Sequence, residues 1–119
     1  MSKLIASAIP ILPGKTEEWK AFINDLRSRH FAEFVASRRK MGVRERTFLQ
    51  STPMGDFVLV TLEGDDPLTA FAQFGQGTDE FTQWFVDCVK AIHGFDLRQP
   101  MPGPMPEMVI DSEGSRATA

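Results

Sequence analysis

The sequence contains no tyrosine and a single cysteine, Cys88. One cysteine excludes a disulfide within the chain and a zinc ribbon, which needs several thiolates. Without tyrosine, the chain lacks the phenol that acts as an acid or ligates haem iron in other proteins. No apolar run approaches the roughly 20 residues of a membrane-spanning helix, so we expect no membrane partner.

Recognisable nucleotide-binding and secretion signals are also missing. The glycines of Gly75-Gln76-Gly77 have neither the spacing nor the preceding strand of a phosphate loop or a dinucleotide fold. The apolar stretch from Leu4 to Leu12 is short for a secretion signal and is better interpreted as a buried first strand. We therefore expect a cytoplasmic protein with one free thiol.

The composition is that of an ordinary globular chain, but its charge is unevenly distributed. Of 119 residues, 42% are hydrophobic and 24% are charged, and the net charge is −3. Residues 1–50 carry ten Lys/Arg against five Asp/Glu, a net +5, whereas residues 51–119 carry three against eleven, a net −8. The acidic total argues against a nucleic-acid partner. The basic residues 38–40, with Arg44 and Arg46, are typical of a solvated helix end, and the alternative is an anion site.

Apolar periodicity and turn residues predict six main elements. In chain order these are a strand at 4–12, a helix at 15–41, a hairpin of strands at 43–51 and 57–63, a helix from 67 to 93 in two pieces and a fourth strand at 95–99. The first helix would be roughly 40 Å long, so a break is expected near Ser28–Phe31. Asp66 is the predicted N-cap before Pro67, and Gly94 ends the last helix.

This order predicts an α+β fold of the ferredoxin-like βαββαβ type, with a four-stranded antiparallel sheet and helices on one face. We expect residues 1–99 to form this domain, residues 100–111 to form a proline-rich extended arm and residues 112–119 to be disordered. Both faces of the third strand are largely apolar, since Phe57 and Leu59 alternate with Val58 and Val60. The face without helices therefore predicts a homodimer, packed sheet to sheet.

The chain resembles the dimeric α+β barrel superfamily. The resemblance covers residues 3–99 and is carried by the first strand closed by Pro13-Gly14-Lys15, the helix start Thr16-Glu17-Glu18-Trp19, the hairpin 43–63 and the helix 79–93 with its following short strand. It carries no catalytic motif. Members of the superfamily include cofactor-free monooxygenases of aromatic compounds, muconolactone isomerases, haem-degrading enzymes, chlorite dismutases and stress-responsive proteins, and this chain is most similar to small uncharacterised bacterial members. The proline-rich residues 100–106 are an addition to the minimal fold of the superfamily, and one role open to them is to wrap the partner subunit.

His30 is the candidate catalytic residue. It continues the apolar stripe of the first helix, so it is expected to face the sheet or a cavity, where a histidine acts as a general base or a ligand. The alternative is a core histidine satisfied by one hydrogen bond. In the enzymatic hypothesis His30 accepts a proton, Trp19, Phe34 and Trp84 line the ligand site, and Arg46 orients an anionic group.

A metal site and a cysteine nucleophile are the weaker candidates. His30 and Glu33, and likewise His93 and Asp96, are His-x-x-acid pairs, but their separation matches no metal motif, so we predict no metal and no cofactor. His93 is better interpreted as a helix C-terminal cation or hydrogen-bond donor. Cys88 lies on an apolar stripe and is expected to be an inert core thiol.

Three functional hypotheses follow. The first is a homodimer that binds a small apolar or aromatic organic ligand, with cofactor-free oxygenase or isomerase-like chemistry if it is an enzyme. The second is a non-enzymatic ligand-binding or assembly module. The third gives the arm a role in binding another protein. Whether the chain is an enzyme, which ligand it takes and whether the histidines are functional or structural are left open by the residues alone.

Overall fold

The computed structural model describes residues 2–101 and 103–114 and shows a mixed α+β fold. Its elements are β1 (Lys3–Pro10), α1 (Thr16–Ser28), α2 (Phe31–Met41), β2 (Val43–Thr52), β3 (Gly55–Gly64), α3 (Pro67–Phe74) and α4 (Glu80–His93). None of the helices within these described ranges is long and apolar enough to cross a membrane.

The first helical region is divided in two, as predicted. The backbone N–H groups of Arg29 and His30 both donate to the carbonyl of Asp25, at 2.8 and 3.2 Å, so the regular ladder stops there. Ser28 Oγ also donates to the carbonyl of Asn24, at 2.7 Å. A new ladder begins when the N–H of Phe34 donates to the carbonyl of His30. The break places His30 at the N-terminus of α2.

The boundaries of the later helices follow from capping residues. The side chains of Asp66 and Asp79 accept from the backbone N–H groups of Thr69 and Thr82, which satisfies donors at the starts of α3 and α4. The hydrogen bonds from Thr82 hold the pKa of Asp79 below its ordinary value. Gly94 ends α4 with φ of 82°, a conformation that favours glycine. The predicted caps Asp66 and Gly94 are confirmed.

The three antiparallel strands lie in the order β1-β3-β2. The predicted hairpin of β2 and β3 is confirmed, and directly opposed residues form rows across the sheet. Val58 and Leu62 of β3 are buried under the helices, and with Ile11, Val43 and the inward faces of α1 and α4 they form the core. The side chains on this inward face determine the site described below.

The predicted fourth strand at 95–99 is wrong for the described chain, which contains three strands. This segment packs against α3 and α4, and the carbonyl of Leu97 lies so close to Gly75 that a Cβ there would collide with it. Its backbone groups are used locally: the N–H of Gln99 donates to the carbonyl of Asp96, and the side chain of Gln76 donates to the carbonyl of Arg98. A strand would need those groups for its ladder.

The Arg98 side chain fixes this segment further. Its guanidinium donates to Gln83 and Asp87 of α4, both at 2.8 Å, and to Asp96, at 3.3 Å. The hydrogen bond to Asp87, together with the charges of Asp87 and Asp96, raises the pKa of Arg98. The segment is therefore held on α4, and the outer edge of β1 is left without a neighbouring strand in the described chain.

The second face of the sheet is uncovered and largely apolar. One row across it consists of Phe48, Leu59 and Ala8, and the next includes Phe57 opposite Pro10. Phe48 is 53% exposed. Arg46 pairs with Glu63 at 3.1 Å on the same face, so one end of it is charged.

The proline-rich region forms neither helix nor strand over residues 103–114. Val109 and Ile110 are 78% and 82% exposed. Pro102 of the predicted arm and residues 115–119 of the predicted disordered tail lie outside the described residues.

Candidate functional site

A cavity of about 80 Å³ lies between the sheet and the helices. Its floor is the inward face of the strands, including the row formed by Ser7, Val60 and Thr47. These three side chains are small, so they leave room that larger residues would fill. Trp19 and other aromatic side chains of the helices close the cavity from above. Thr47 is exposed, so the cavity meets solvent along β2.

Most of the lining is apolar, and it contains five polar side chains, of which all but Ser7 have hydrogen-bond partners in the described chain. These are Ser7, Arg38, Glu45, Thr47 and His93. A largely apolar cavity with a small number of placed polar groups is the usual form of a small-molecule site.

Arg38 and Glu45 form a buried ion pair in the lining. Arg38 Nε donates to Glu45 Oε1 at 2.7 Å, and the two side chains are only 8% and 10% exposed. The other carboxylate oxygen of Glu45 accepts from Thr47 Oγ1 at 3.0 Å. Each charge is thus compensated by its partner, which a buried charge requires.

Aromatic rings surround the Arg38 guanidinium. Its central carbon lies 4.7 Å from the ring centre of Phe34, 4.5 Å from that of Phe74 and 5.0 Å from that of Phe85. A cation over an aromatic face is attracted by the ring quadrupole, more strongly where water is excluded. Together with the ion pair, these rings hold Arg38 in one orientation at the cavity wall.

His93 contributes to the cavity at the C-terminal end of α4. Its Nδ1–H donates to the carbonyl of Pro10 at 2.8 Å, which confirms the predicted donor role. Burial lowers the pKa of His93, and the bond to Pro10 opposes that shift only in part. The neutral imidazole is therefore favoured, in contrast to the predicted helix-end cation. The N–H of Leu12 donates to the carbonyl of Ile92, which ties the same helix end to the chain after β1.

His30 lies elsewhere, between α2 and the start of α4. Its Nδ1–H donates to Glu33 Oε1 at 2.8 Å, and its ring stacks on Trp84 with centroids 4.2 Å apart. The side chain is 25% exposed and does not contribute to the cavity wall. The carboxylate orients the ring and leaves Nε2 as the nitrogen that can accept a proton.

The other predicted ligand residues are divided among three places. Trp19 is buried and lines the cavity. Phe34 packs on the core and on Arg38 without reaching the lining, and Trp84 stacks against His30 and Phe22. Arg46 lies on the opposite, uncovered face of the sheet, paired with Glu63. The five predicted site residues therefore do not meet in one cavity.

Neither the cysteine nor any acidic cluster forms a reactive or metal-binding centre in the described ranges. Cys88 packs against the core, and burial raises the pKa of its thiol, which disfavours the nucleophilic thiolate. Within residues 2–101 and 103–114, no three His, Cys, Asp or Glu side chains are placed to hold a metal ion.

Sequence reasoning missed Arg38 and Glu45, although both carry a signal. Arg38 follows Phe34 by four residues and so continues the inward stripe of the helix, whereas the basic run 38–40 on its own predicts a solvated helix end. Its neighbours Arg39 and Lys40 are exposed, as that interpretation requires. Glu45 falls between the inward residues Val43 and Thr47, where strand alternation places it on the helix side of the sheet.

Comparison with known proteins found no family model, curated protein or solved structure that matches this chain.

Proposed function

We propose that this protein binds a small apolar or aromatic organic molecule in the cavity between its sheet and its helices. The observation that carries the proposal is a largely apolar cavity whose wall contains a buried Arg38–Glu45 pair and a histidine. Filling this space with larger aliphatic side chains at Ser7 and Thr47 would improve packing. Small polar residues at both positions instead leave this space open, and the open space supports the proposal of a ligand site.

The size of the cavity limits the ligand. An engineered apolar cavity of about 150 Å³ binds benzene. The present cavity, at about 80 Å³, has about half of that volume, so a five-membered ring is the largest aromatic ring we propose for it, and part of that ring would extend into the opening along β2. Larger aromatic ligands would require the side chains around the cavity to move.

A binding experiment with a filled-cavity variant tests this function. Val60→Phe places a larger ring on the cavity floor, and Leu59→Phe places the same ring on the opposite face. A ligand at 100 times its Kd stabilises the folded chain by about 2.7 kcal/mol. We expect small five-membered aromatic molecules to raise the Tm of the wild type and of Leu59→Phe, but not of Val60→Phe.

If Val60→Phe does not fold, the milder variant Ser7→Val takes its place in the same measurement. The absence of a Tm increase in the wild type, with no chemical-shift changes at cavity residues, would contradict the proposal.

Catalysis of the oxygenase or isomerase type is the second candidate, with His30 as the proton acceptor. The His30–Glu33 pair supports it, because a carboxylate that fixes Nδ1–H leaves Nε2 available as a base. The position of His30 outside the cavity lining favours binding without turnover, the role of a non-enzymatic module. If His30→Ala loses turnover but keeps its ligand affinity, the enzymatic hypothesis is supported. If the wild type and His30→Ala turn over substrate equally, His30 does not have this role.

We propose further that two copies pack through their uncovered sheet faces, as in the dimeric α+β barrel superfamily. The three strands contain eight, ten and ten residues. At about 3.4 Å per residue and about 4.8 Å between strands, they give a footprint near 460 Å². A stable interface buries about 800 Å² on each partner, so we expect further contact from outside the sheet. The exposed apolar residues Val109 and Ile110 of the arm suit this contact. If deletion of residues 100–119 splits the dimer, the arm has this structural role.

A further inference from the structure

His93 lies where the cavity meets the end of α4, and its ring position is fixed from both sides. Nδ1–H donates to the outward-facing carbonyl of Pro10, and the ring lies 6.0 Å from that of Phe95, which also lines the cavity. The hydrogen bond from Leu12 to Ile92 holds the backbone beside it. A ring anchored in this way keeps one orientation at the cavity wall.

The hydrogen bond also determines the tautomer. A carbonyl oxygen only accepts, so Nδ1 carries the proton. In the neutral imidazole the other nitrogen, Nε2, then holds a lone pair. No residue of the described chain makes a hydrogen bond to Nε2, and burial of the ring disfavours a second proton on it.

We infer that His93 Nε2 is the hydrogen-bond acceptor of the cavity, and that it selects small aromatic molecules that carry an N–H or O–H donor. This inference rests on the proposed ligand-binding function. Among the other polar groups of the lining, the Glu45 carboxylate already accepts from Arg38 and Thr47. The Ser7 hydroxyl both donates and accepts, so it does not discriminate between a donor and an acceptor on the ligand. In the described chain, His93 Nε2 is therefore the free lining group that accepts without also donating, so it favours a ligand with a donor, while the apolar walls bind the ring.

Pyrrole and furan form the matched pair of probes for this inference. The two rings are nearly identical in size, but pyrrole carries an N–H donor where furan has an oxygen. One net hydrogen bond is worth about 0.5–1.5 kcal/mol, which corresponds to an affinity ratio of up to roughly tenfold. We expect the wild-type protein to bind pyrrole up to tenfold more tightly than furan, measured by titration of chemical shifts.

Two substitutions of His93 separate its two nitrogens. His93→Asn places an amide N–H near the position of Nδ1, so it retains the bond to Pro10 but removes the acceptor at Nε2. His93→Gln extends an amide to the position of Nε2. We expect the preference for pyrrole to vanish in His93→Asn and to be partly retained in His93→Gln, with furan affinity unchanged in both.

The wild-type protein also gives a direct readout that needs no variant. The imidazole ¹⁵N spectrum distinguishes a protonated from an unprotonated nitrogen, and we expect the Nε2 resonance to shift with pyrrole but not with furan. Equal binding of the two probes, or a pyrrole preference that survives in His93→Asn, would overturn the role of His93 and leave the binding function intact. If the wild type bound neither pyrrole nor furan, both the binding function and the role of His93 would be contradicted.

Discussion

At the scale of single residues, Arg38 connects the elements around the cavity. Its backbone lies in α2, its guanidinium pairs with Glu45 of β2, and its aromatic neighbours Phe74 and Phe85 come from α3 and α4. Two buried charges stabilise a fold only as a pair, because removal of one leaves the other without compensation. The pair therefore fixes how the helices sit on the sheet, and through this it fixes the cavity wall.

Substitution of one partner should be far more costly than substitution of both. We expect Glu45→Leu alone to lower the free energy of unfolding by about 3–5 kcal/mol, since Arg38 is left buried and unpaired. The double variant Arg38→Met/Glu45→Leu should recover most of that loss, because no charge remains in the wall. Urea unfolding of the single variants and the double variant measures the coupling, and additive losses would contradict the interaction.

The titration of His93 should be visible in the stability of the protein. Burial lowers the pKa of His93 from its ordinary value of 6.5 in the folded chain. The unfolded chain then binds more protons than the folded one, so stability rises with pH. The contribution of neutral His93 to the free energy of unfolding is complete above pH 6.5. It is lost as the pH falls through the lower pKa that His93 has in the folded chain. The capping carboxylates of Asp66 and Asp79 also have lowered pKa values, and their contributions are lost only below 3.8.

Urea unfolding between pH 8 and pH 5 checks this expectation. The wild type should lose stability on acidification, and His93→Asn should show a flatter profile over the same range. Parallel profiles for the two proteins would show that His93 does not titrate differently on folding.

At the scale of elements, the contact between Gly75 and the segment at 95–99 decides how the chain leaves the domain. Leu97 reaches the end of α3 only because Gly75 has no side chain. We expect Gly75→Ala to lower stability by about 1–3 kcal/mol, as overpacking does, and to increase amide exchange at 96–99. Gly103→Ala is the control, because a Cβ there meets open space. Unchanged stability and exchange in Gly75→Ala would show that the close contact is not needed.

The same contact explains which elements the sequence could predict. Helices and hairpin carry their signals locally, in periodicity, in the caps Asp66 and Asp79, and in Gly94. The fate of residues 95–99 depends on Gly75, some twenty positions earlier, and local β-propensity says nothing about it.

The site was predictable in part for the same reason. Trp19 follows from helix periodicity and does line the cavity. In the sequence, Arg38 cannot be told from the exposed basic residues that follow it. Only the fold shows that Glu45, beyond the end of the helix, lies opposite Arg38 and pairs with it. His93 lines the cavity through a bond to Pro10 that no spacing in the sequence indicates.

At the scale of the whole molecule, the sheet separates two different apolar surfaces. One faces the helices and encloses the cavity, and the other faces outward with Phe48, Leu59 and Phe57 among its residues. Exposed contiguous apolar surface of this kind marks an interaction site more often than a free surface. If two copies join there, each cavity stays on the far side of its own sheet, so dimerisation and ligand binding act on opposite faces.

Native mass spectrometry of the whole chain tests this assembly with two variants of equal charge change. We expect the wild type to show the mass of two chains and Phe48→Glu to show one, because the new carboxylate would be buried in an apolar interface. Met54→Glu is the matched control: Met54 is an apolar residue, 92% exposed, in the turn between β2 and β3, away from the face. It should remain dimeric. A monomeric wild type, or a Phe48→Glu variant as dimeric as Met54→Glu, would show that the uncovered face is not the interface.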